Sequence, residues 1–275
     1  MTCEIDKTDN GSVLILVGTR YDNKNVVVAT AVALGGKMLL DEVAVIYDPT
    51  SPQKDFDYWL IQFDMEALNK FLIGEKVVEL GCGKGVLTEK LAQRSQKLIV
   101  VEAAKANITF VSDRLKKYSN VEFYESLWQD FDYTADDISD IVLFMGLEYL
   151  DHETALFVLK KMRSILKPCG RVHVVVPNAR SLHRRIAYCM NLTEDVHELS
   201  DRDRLYGHVR VYDKEMVLRE LKESGFDILH WEGIFLKPFP NDMMIPLKKS
   251  IIRGRFEIGR ELPDYCAHIY VLCTR

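Results

Sequence analysis

Apolar residues follow two different spacings along the central and C-terminal parts of the chain. Short apolar runs are typical of buried strands, and apolar positions three or four residues apart predict amphipathic helices. The predicted strands span residues 77–80, 98–101, 121–124, 141–145, 171–176, 226–235 and 266–273, and the predicted helices span residues 63–72, 86–94, 104–118, 151–166 and 213–224. Because strands and helices alternate through short connections, the pattern predicts an α/β fold with a mostly parallel sheet covered on both faces.

Two helix ends are marked by particular residues. Pro168 and Gly170 follow the predicted helix over residues 151–166, and both residue types stop helices. Asp213 is a candidate N-cap of the last predicted helix, and Gly225 is its candidate stop. These signals predict that the fifth strand begins after Gly170.

The pattern changes near the N-terminus and in two long connections. Three N-terminal segments are β-rich, with Gly35-Gly36 as a candidate hairpin turn between the last two. These segments span residues 12–18, 25–34 and 38–47. We expect a β-rich extension over residues 1–60 and a main domain over residues 61–275. Within the main domain, residues 178–212 show no clean period and residues 237–263 resemble a proline-bearing lid, so both are expected to border the substrate.

Composition narrows the class of protein. The 275 residues are 48% hydrophobic and 28% charged, with a net charge of −5, which argues against a general nucleic-acid surface. No apolar run is long enough to span a bilayer, and the N-terminus does not resemble a secretion signal. Six cysteines without a C-x-x-C pair predict reduced thiols in a cytoplasmic protein and no metal site.

A turn with three glycines at alternate positions carries the strongest chemical signal. Gly81, Gly83 and Gly85 follow the strand over residues 77–80, and an amphipathic helix begins directly afterwards. Such a turn aims backbone N–H groups at a ligand. A dinucleotide site uses G-x-G-x-x-G, whereas here the third glycine comes one position early. Glu79 would also place a negative charge near a pyrophosphate, so the turn favours a cationic ligand without phosphate.

A second acid follows the next predicted strand. Glu102 lies 21 positions after Gly81, close to the roughly 20 positions expected for an acid that binds ribose hydroxyls. Together, Glu79, the glycine turn and Glu102 resemble the first two motifs of class I S-adenosylmethionine-dependent methyltransferases. The resemblance implies a Rossmann-like sheet of seven mostly parallel strands with an antiparallel last strand, and S-adenosyl-L-methionine as cofactor. A purely structural glycine turn and a nicotinamide oxidoreductase are the alternatives.

The resemblance also implies a set of cofactor contacts. Glu79 and the glycine turn would hold the methionyl end, and Glu102 would hold the ribose. The loop after the third strand would frame the adenine, with Gln129 or Asp130 as a candidate acceptor of its amine, although Trp128 could equally be core. The expected cofactor-binding residues are Glu79, Gly81, Cys82, Gly83, Gly85, Glu102, Ala103, Ser126, Leu127, Trp128, Met145, Gly146 and Leu147.

Polar and aromatic residues in the less regular segments are candidates for the acceptor side. His208 is the first candidate for a general base because an imidazole titrates near neutrality, and His183 is the second. The resemblance makes Tyr149 a third catalytic candidate, since the family often carries a histidine at this place after the fourth strand; the alternative is that Tyr149 only packs. The expected substrate-binding residues are Asn178, Arg184, Arg185, Tyr206 and Tyr212. Arginine forks in this set suit carboxylate or phosphate groups.

These features predict an O- or N-methyltransferase that acts on a small-molecule or peptide-like metabolite. The alternative is a protein that binds the cofactor without turnover and serves as a scaffold or regulatory subunit. We expect neither a nucleic-acid nor a membrane partner. The extension over residues 1–60 is a candidate surface for a homodimer.

Overall fold

The computed structural model describes residues 48–275, with the exception of residues 134 and 136. It also describes residues 44, 46 and 47 and four short N-terminal strands. These strands are Cys3–Lys7, Val13–Val17, Arg20–Tyr21 and Lys24–Asn25. Val13–Val17 lies within the predicted β-rich run over residues 12–18 and pairs antiparallel with Cys3–Lys7, a strand that was not predicted. The Gly35-Gly36 turn and most of the other two predicted runs lie outside the described residues.

Seven strands form one sheet, as predicted. They are β1 Lys76–Leu80, β2 Lys97–Glu102, β3 Val121–Glu125, β4 Ile138–Phe144, β5 Leu166–Pro177, β6 Asp227–Ile234 and β7 His268–Thr274. Their order is β3-β2-β1-β4-β5-β7-β6. Strands β1 to β5 are parallel, and β7 is antiparallel to both neighbours. The order reverses between β1 and β4, which is where open α/β sheets bind ligands.

Helices cover both faces of this sheet. The α-helices are α1 Asp57–Leu68, α2 Val86–Ala92, α3 Lys105–Leu115, α4 His152–Ile165, α5 Leu182–Cys189, α6 Asp201–Tyr206, α7 Lys214–Glu223, α8 Asn241–Met244 and α9 Lys249–Gly259. In β1, Val78 packs into the core beneath α4 and α7, whereas Val77 packs into the core beneath α1, α2 and α3. Burial on both faces explains why the central strands are almost entirely apolar. None of the helices described is both long and apolar enough to cross a bilayer.

The position of helix α1 differs from the predicted one. It spans Asp57–Leu68, whereas the apolar spacing predicted a helix over residues 63–72. Oδ1 of Asp55 accepts the N–H of Asp57, the first residue of the helix, at 3.0 Å. Phe63 then stacks on Phe256 of α9, with the ring centroids 4.3 Å apart. This stack joins two segments that lie far apart in the chain, a contact that the local apolar period does not encode.

Strand β5 begins earlier than predicted. Helix α4 ends at Ile165, and β5 begins immediately at Leu166, five residues before the predicted strand over residues 171–176. A register shift in β4 between Ile138 and Asp140 accommodates the extra residues opposite it. Cys169 has a φ of +61° within this irregular stretch. The proline and glycine therefore mark an irregularity in the strand as well as the helix end.

Short helices occupy the two connections that showed no clean period. Helices α5 and α6 lie within residues 178–212, and α8 and α9 lie within residues 237–263. No residue of α5 is buried, so it has no core face that a period could reveal. Helix α6 starts at a capping box in which Ser200 and Asp203 satisfy each other's backbone N–H groups.

Candidate active site

One cavity of about 520 Å³ opens at the carboxyl ends of the central strands. Most of the predicted site residues line it, although they come from distant parts of the sequence. They are Glu79, Gly81, Cys82, Gly83, Glu102, Ala103, Leu127, Trp128, Met145, Tyr149, Asn178, His183, Arg184, Tyr206 and His208. The other predicted residues are not among its lining residues, namely Gly85, Ser126, Gly146, Leu147, Arg185 and Tyr212.

The glycine turn has the backbone that its sequence predicts. Gly81, Gly83 and Gly85 have φ values of +83°, +48° and +73°, in the region that side-chain-bearing residues rarely adopt. Gly83 has open space where a Cβ would stand. At Gly85 a Cβ would lie 2.8 Å from Val111, so this glycine lets α2 pack against α3. The first part of the turn borders the cavity, and its last glycine serves helix packing.

Glu79 places a buried carboxyl group at the floor of the cavity, and only one of its two oxygens has a hydrogen-bond partner among the described residues. Thr88 donates its hydroxyl to Oε1 at 3.1 Å, while Oε2 has no hydrogen-bond partner among the described residues. Burial raises the pKa of Glu79 to about 8. A cationic group that entered the cavity would stabilise the ionised form of this carboxyl group.

Glu102 is held in one orientation by the backbone of the turn and of the next helix. Its Oε2 accepts the N–H of Cys82 at 3.0 Å, and its Oε1 accepts the N–H of Ala104 at 2.9 Å. A carboxylate offers about four acceptor sites, and these two bonds occupy two of them. The Cys82 thiol and the Asn107 amide reach Oε2 only at 3.5 Å, the outer limit of a hydrogen bond, so capacity for hydroxyl groups remains. The observed geometry therefore fits the ribose-binding role expected for this acid.

The loop after β3 contributes an indole ring to the cavity wall. Trp128 donates its Nε1–H to the carbonyl of Val101 at 3.3 Å. A Cβ added to Gly81 would lie 3.0 Å from the Trp128 ring, and a Cβ added to Gly146 would lie 2.7 Å from it. Trp128 therefore borders the cavity and also packs on the core. Of the two candidate acceptors for the adenine amine, Gln129 lines the cavity and Asp130 is not among the lining residues.

The segment after β4 makes a sharp turn against the sheet. Met145 has a φ of +51° and donates its N–H to the carbonyl of Val175 at 2.8 Å. Leu147 is fully buried in the core and begins a short 3₁₀ helix, Leu147–Tyr149. Only Met145 of the predicted trio 145–147 reaches the cavity, because the backbone turns inward after it.

A histidine and an aspartate form a hydrogen-bonded pair on the opposite side of the cavity. Nδ1 of His208 lies 3.1 Å from Oδ1 of Asp203. The ring of His208 packs edge-on against Tyr149, with the centroids 4.8 Å apart. The fold thus brings the first candidate base next to the tyrosine that follows β4.

Asp203 was not predicted as a site residue. Its Oδ2 accepts the guanidinium of Arg184, and it also accepts the N–H of Ser200 at 2.8 Å and the hydroxyl of Ser200 at 2.6 Å. Burial acts to raise the pKa of Asp203, but the His208 hydrogen bond, the Arg184 charge and the Ser200 hydrogen bonds hold it well below its usual range. The capping-box spacing of Ser200 and Asp203 is the only sequence signal that marks this residue.

His183, the second candidate base, is half-buried and lies on the cavity wall. Its Nδ1 has no hydrogen-bond partner among the described residues, and its backbone N–H donates to the carbonyl of Lys237 at 3.0 Å. Burial, with the Lys237 charge, lowers the pKa of His183 well below its usual value. His183 is therefore a neutral imidazole at physiological pH.

A second polar group on the acceptor side was also missed. Lys237 donates to the side-chain oxygen of Asn241, and burial lowers the pKa of this lysine to about 8. The amide of Asn241 donates to Asp55 and Asp57, each at 2.7 Å. This group ties residues 237–241 to the start of α1, and its members Asp57, Lys237 and Asn241 line the cavity.

Two predicted substrate contacts lie away from the cavity. Tyr212 is fully buried and donates its hydroxyl to Glu220 at 2.7 Å. Arg185 lies over the ring of Tyr265, 5.1 Å from its centroid. Asn178 does line the cavity, although its amide already donates to the carbonyl of Cys266 at 2.8 Å.

The sheet order, the glycine turn and the acids at the carboxyl ends of β1 and β2 define the Rossmann-like fold of class I methyltransferases. The sequence profile of a family described as "Methyltransferase domain" matches residues 52–231. The chain belongs to this family and is an S-adenosylmethionine-dependent methyltransferase, which confirms the class and cofactor predicted from the sequence.

Curated relatives carry different names. A "Ubiquinone biosynthesis O-methyltransferase" of Rhizobium rhizogenes is 25% identical over 168 residues, 61% of this chain and 66% of that protein. A "Probable ribosomal RNA small subunit methyltransferase A" of Methanococcus aeolicus is 44% identical over only 54 residues, 20% of this chain and 19% of that protein. The chain thus matches about two thirds or less of the length of these two relatives.

Solved structures share the fold at low identity. N-methyltransferase NodS from Bradyrhizobium japonicum, in complex with S-adenosyl-l-homocysteine, aligns with a TM-score of 0.56 and 18% identity, over 85% of this chain and 95% of NodS. The [4+2]-cyclase SpnF aligns with a TM-score of 0.60 and 15% identity, over 90% and 98%. Because one neighbour is named as a cyclase, the fold does not by itself fix the acceptor or the reaction.

Proposed function

We propose that this methyltransferase transfers the methyl group to an oxygen or nitrogen atom of a small-molecule or peptide-like acceptor. One observation carries the proposal: a single cavity joins the Glu79 and Glu102 side to the Asp203–His208 pair. A cavity of about 520 Å³ lies within the range typical of small-ligand sites. The net charge of −5 argues against a nucleic-acid acceptor.

In this proposal the cofactor side is built from the two acids and the turn. The unpartnered Oε2 of Glu79 faces the methionyl ammonium group, and Glu102 accepts both ribose hydroxyls. Leu127, Trp128 and Gln129 border the adenine. When bound, S-adenosyl-L-methionine supplies a methyl group on a positively charged sulfur. The chain contributes orientation and exclusion of water, which are the main protein contributions to such a displacement.

His208 is the proposed general base. The ionised Asp203 accepts the Nδ1–H of His208, which leaves Nε2 as the atom that can take a proton from the acceptor. Tyr149 fixes the plane of the imidazole through its edge-on contact. His183 is a neutral acceptor of a hydrogen bond in the same wall, and Arg184 and Tyr206 border the substrate.

Two broader features belong to the same proposal. The extension over residues 1–60 is proposed to cover the site or to form a homodimer. We propose a cytoplasmic location because Cys82, Cys169, Cys189, Cys266 and Cys273 are free thiols, which is consistent with a reducing compartment.

Two experiments test this proposal. Thermal unfolding with S-adenosylhomocysteine, S-adenosylmethionine and NAD should show stabilisation by the first two only, and no shift with S-adenosylhomocysteine would contradict the proposed cofactor site. Metabolite extracts incubated with methyl-labelled cofactor should then yield a labelled small molecule. Binding of the cofactor without any labelled product would favour the alternative, a scaffold or regulatory subunit without turnover.

A further inference from the structure

Lys237 places an ammonium group on the acceptor side of the cavity. The residue is 8% exposed and lines the cavity. Its ammonium donates to the side-chain oxygen of Asn241, and no carboxylate oxygen of the described residues lies within 4.0 Å of it. An ammonium group carries three donors, and a charge held away from water is costly unless an opposite charge meets it. The fold therefore leaves part of the binding capacity of Lys237 to a ligand.

The neighbours of Lys237 fix the direction of its ammonium. The amide of Asn241 donates to Asp55 and to Asp57, each at 2.7 Å, so its oxygen faces Lys237. The same two aspartates accept the guanidinium of Arg202, at 2.7 and 2.9 Å. Both carboxylates are thus occupied by other donors, and the ammonium reaches them only through the Asn241 amide.

The other basic side chains of the acceptor side are already paired with acids. Arg184, which the sequence favoured for an acidic ligand, binds Asp203 instead. Nδ1 of His268 lies 3.0 Å from Asp64. Together with the pairing of the guanidinium described above, these contacts leave Lys237 as the cation of the described acceptor side that has no carboxylate partner. An acidic group of a ligand would therefore meet this ammonium.

Two tyrosine hydroxyls add further donors to the same wall. The guanidinium carbon of Arg202 lies 4.8 Å from the ring centroid of Tyr206, and Tyr47 packs edge-on against Tyr206 with the centroids 5.4 Å apart. Both tyrosines line the cavity, and neither hydroxyl has a hydrogen-bond partner among the described residues. A carboxylate offers about four acceptor sites and no donor, so it complements an ammonium and phenol hydroxyls.

We propose that Lys237 binds an acidic group of the methyl acceptor, so that the substrate carries a carboxylate or a phosphate apart from the atom that receives the methyl group. This inference rests on the proposed function and adds the charge of the substrate to it. Tyr47 and Tyr206 donate to the remaining oxygens of the acidic group. Because Tyr206 lies two residues before His208, the anchored acid and the proposed base flank one acceptor molecule.

Charge pairing explains why an acidic group is favoured over a neutral one. Burial lowers the pKa of Lys237 to about 8, so its amine is still mostly protonated at pH 7. Hydrogen bonds that involve an ionised partner are roughly twice as strong as those between neutral groups. A carboxylate therefore gains more from this ammonium than a carboxamide of the same shape, which has one oxygen and no charge.

Three small probes test the inference without an identified acceptor. Benzoate, phenyl phosphate and benzamide are titrated by NMR into the protein saturated with S-adenosylhomocysteine, and benzamide is the uncharged match for benzoate. At least one of the two anions should bind roughly tenfold or more tightly than benzamide at pH 7. The anion that binds more tightly identifies the acidic group as a carboxylate or a phosphate. Equal affinities for all three probes, or no binding of either anion, would overturn the inference.

Lys237→Gln assigns the effect to the ammonium. The glutamine keeps a donor for Asn241 but has no charge, so the preference for the anion should fall roughly tenfold while the affinity for S-adenosylhomocysteine stays unchanged. Lys84→Gln is the matched control, since Lys84 also lines the cavity but lies 5.2 Å from the ring centroid of Phe110. That variant should keep the preference. An unchanged preference in Lys237→Gln, shown to be folded by thermal unfolding, would overturn the inference.

The product of the wild-type enzyme gives a reading that depends on no variant. Metabolite extracts are incubated with methyl-labelled cofactor and then passed over an anion exchanger at pH 7. The labelled product should be retained and should elute with salt. A labelled product that passes through the column would overturn the inference about Lys237 alone, whereas failure of the protein to bind S-adenosylhomocysteine would overturn the proposed function.

Discussion

Nδ1 of His208 lies 3.1 Å from Oδ1 of Asp203, and the fold places this pair on the wall of the same cavity that Glu79 and Glu102 border. The four residues between Asp203 and His208 along the chain include the end of α6 and Gly207, which has a φ of +84°. The turn at Gly207 brings the imidazole back against the helix that carries Asp203.

We expect Asp203→Asn to lower the rate of methyl transfer by roughly 10²-fold, the usual contribution of an oriented general base. The asparagine amide would no longer stabilise the protonated imidazole of His208. S-adenosylhomocysteine affinity, measured by calorimetry, should stay unchanged. Asp201→Asn is the matched control, since Asp201 belongs to the same helix and its side chain is 98% exposed. Equal rates for the two variants would contradict the role of Asp203.

Removal of the Glu102 carboxylate should weaken cofactor binding far more than removal of the His208 imidazole. Glu102→Ala loses two hydrogen bonds to ribose hydroxyls, each worth about 1.5–3 kcal/mol when the acceptor is charged. We therefore expect a loss of affinity of roughly 10²-fold or more. His208→Ala should leave the same calorimetric titration almost unchanged. Comparable losses in the two variants would show that the assignment of roles is wrong.

Binding of S-adenosylhomocysteine at pH 7 should release close to one proton. In the free protein, burial raises the pKa of Glu79 to about 8, so its carboxyl group is mostly protonated at this pH. The ammonium of the ligand favours the ionised form, and the proton departs. Calorimetry in buffers of different ionisation enthalpy measures this release. Glu79→Gln should abolish it, and an unchanged release would mean that another group titrates.

The stability of the free protein should fall as pH rises from about 5 to 8. Burial raises the pKa of Glu148 from 4.5 to about 7, so the folded state holds a proton that the unfolded state has already lost. Above the unfolded pKa, Glu148 therefore lowers the free energy of unfolding, and this loss grows until the pH exceeds the pKa of Glu148 in the folded state. Its full size is on the order of 3 kcal/mol.

Chemical denaturation across this pH range tests the effect. Glu148→Gln has no titrating group at this position, so its free energy of unfolding should depend less steeply on pH. Glu153→Gln is a suitable control, since Glu153 is exposed on the first turn of α4. Parallel curves for wild type and Glu148→Gln would contradict the prediction.

Gly146→Ala should destabilise the fold by about 1–3 kcal/mol, the usual cost of an overpacked core. An added Cβ would lie 2.6 Å from Cδ1 of Leu143 and 2.7 Å from the ring of Trp128. Gly254→Ala is the matched control, because Gly254 lies within α9 and a Cβ there would meet no atom within 4 Å. That variant should be stabilised by about 0.5–1 kcal/mol. Urea denaturation of both variants measures the difference.

The central strands could be predicted from the sequence because both faces of the sheet are buried. Residues such as Val77 and Val78 pack into different cores, so the strand reads as a continuous apolar run. Helix α1 was displaced in the prediction because apolar residues lie on more than one of its sides, as Phe63 and Met65 do, two positions apart and both buried. Contacts with α9 determine which side is buried.

The cofactor side was also accessible to sequence reasoning, since it depends on local geometry. Positive φ values require glycine, and the acids Glu79 and Glu102 stand at fixed distances from the turn. The acceptor side could not be predicted in the same way, because its residues come from separate segments in which apolar residues follow no regular spacing. His208 was identified by its chemistry, whereas Asp203, Lys237 and Glu148 acquire meaning only from their neighbours.

The sequence alone determined the fold class, the glycine turn and the choice of a cationic cofactor, because each depends on short-range spacing and residue type. Only the tertiary structure decided which polar groups are paired. Burial and distance show that Asp203 is satisfied and that Glu148 is not. Those quantities depend on contacts between residues far apart in the chain, and no local pattern encodes them.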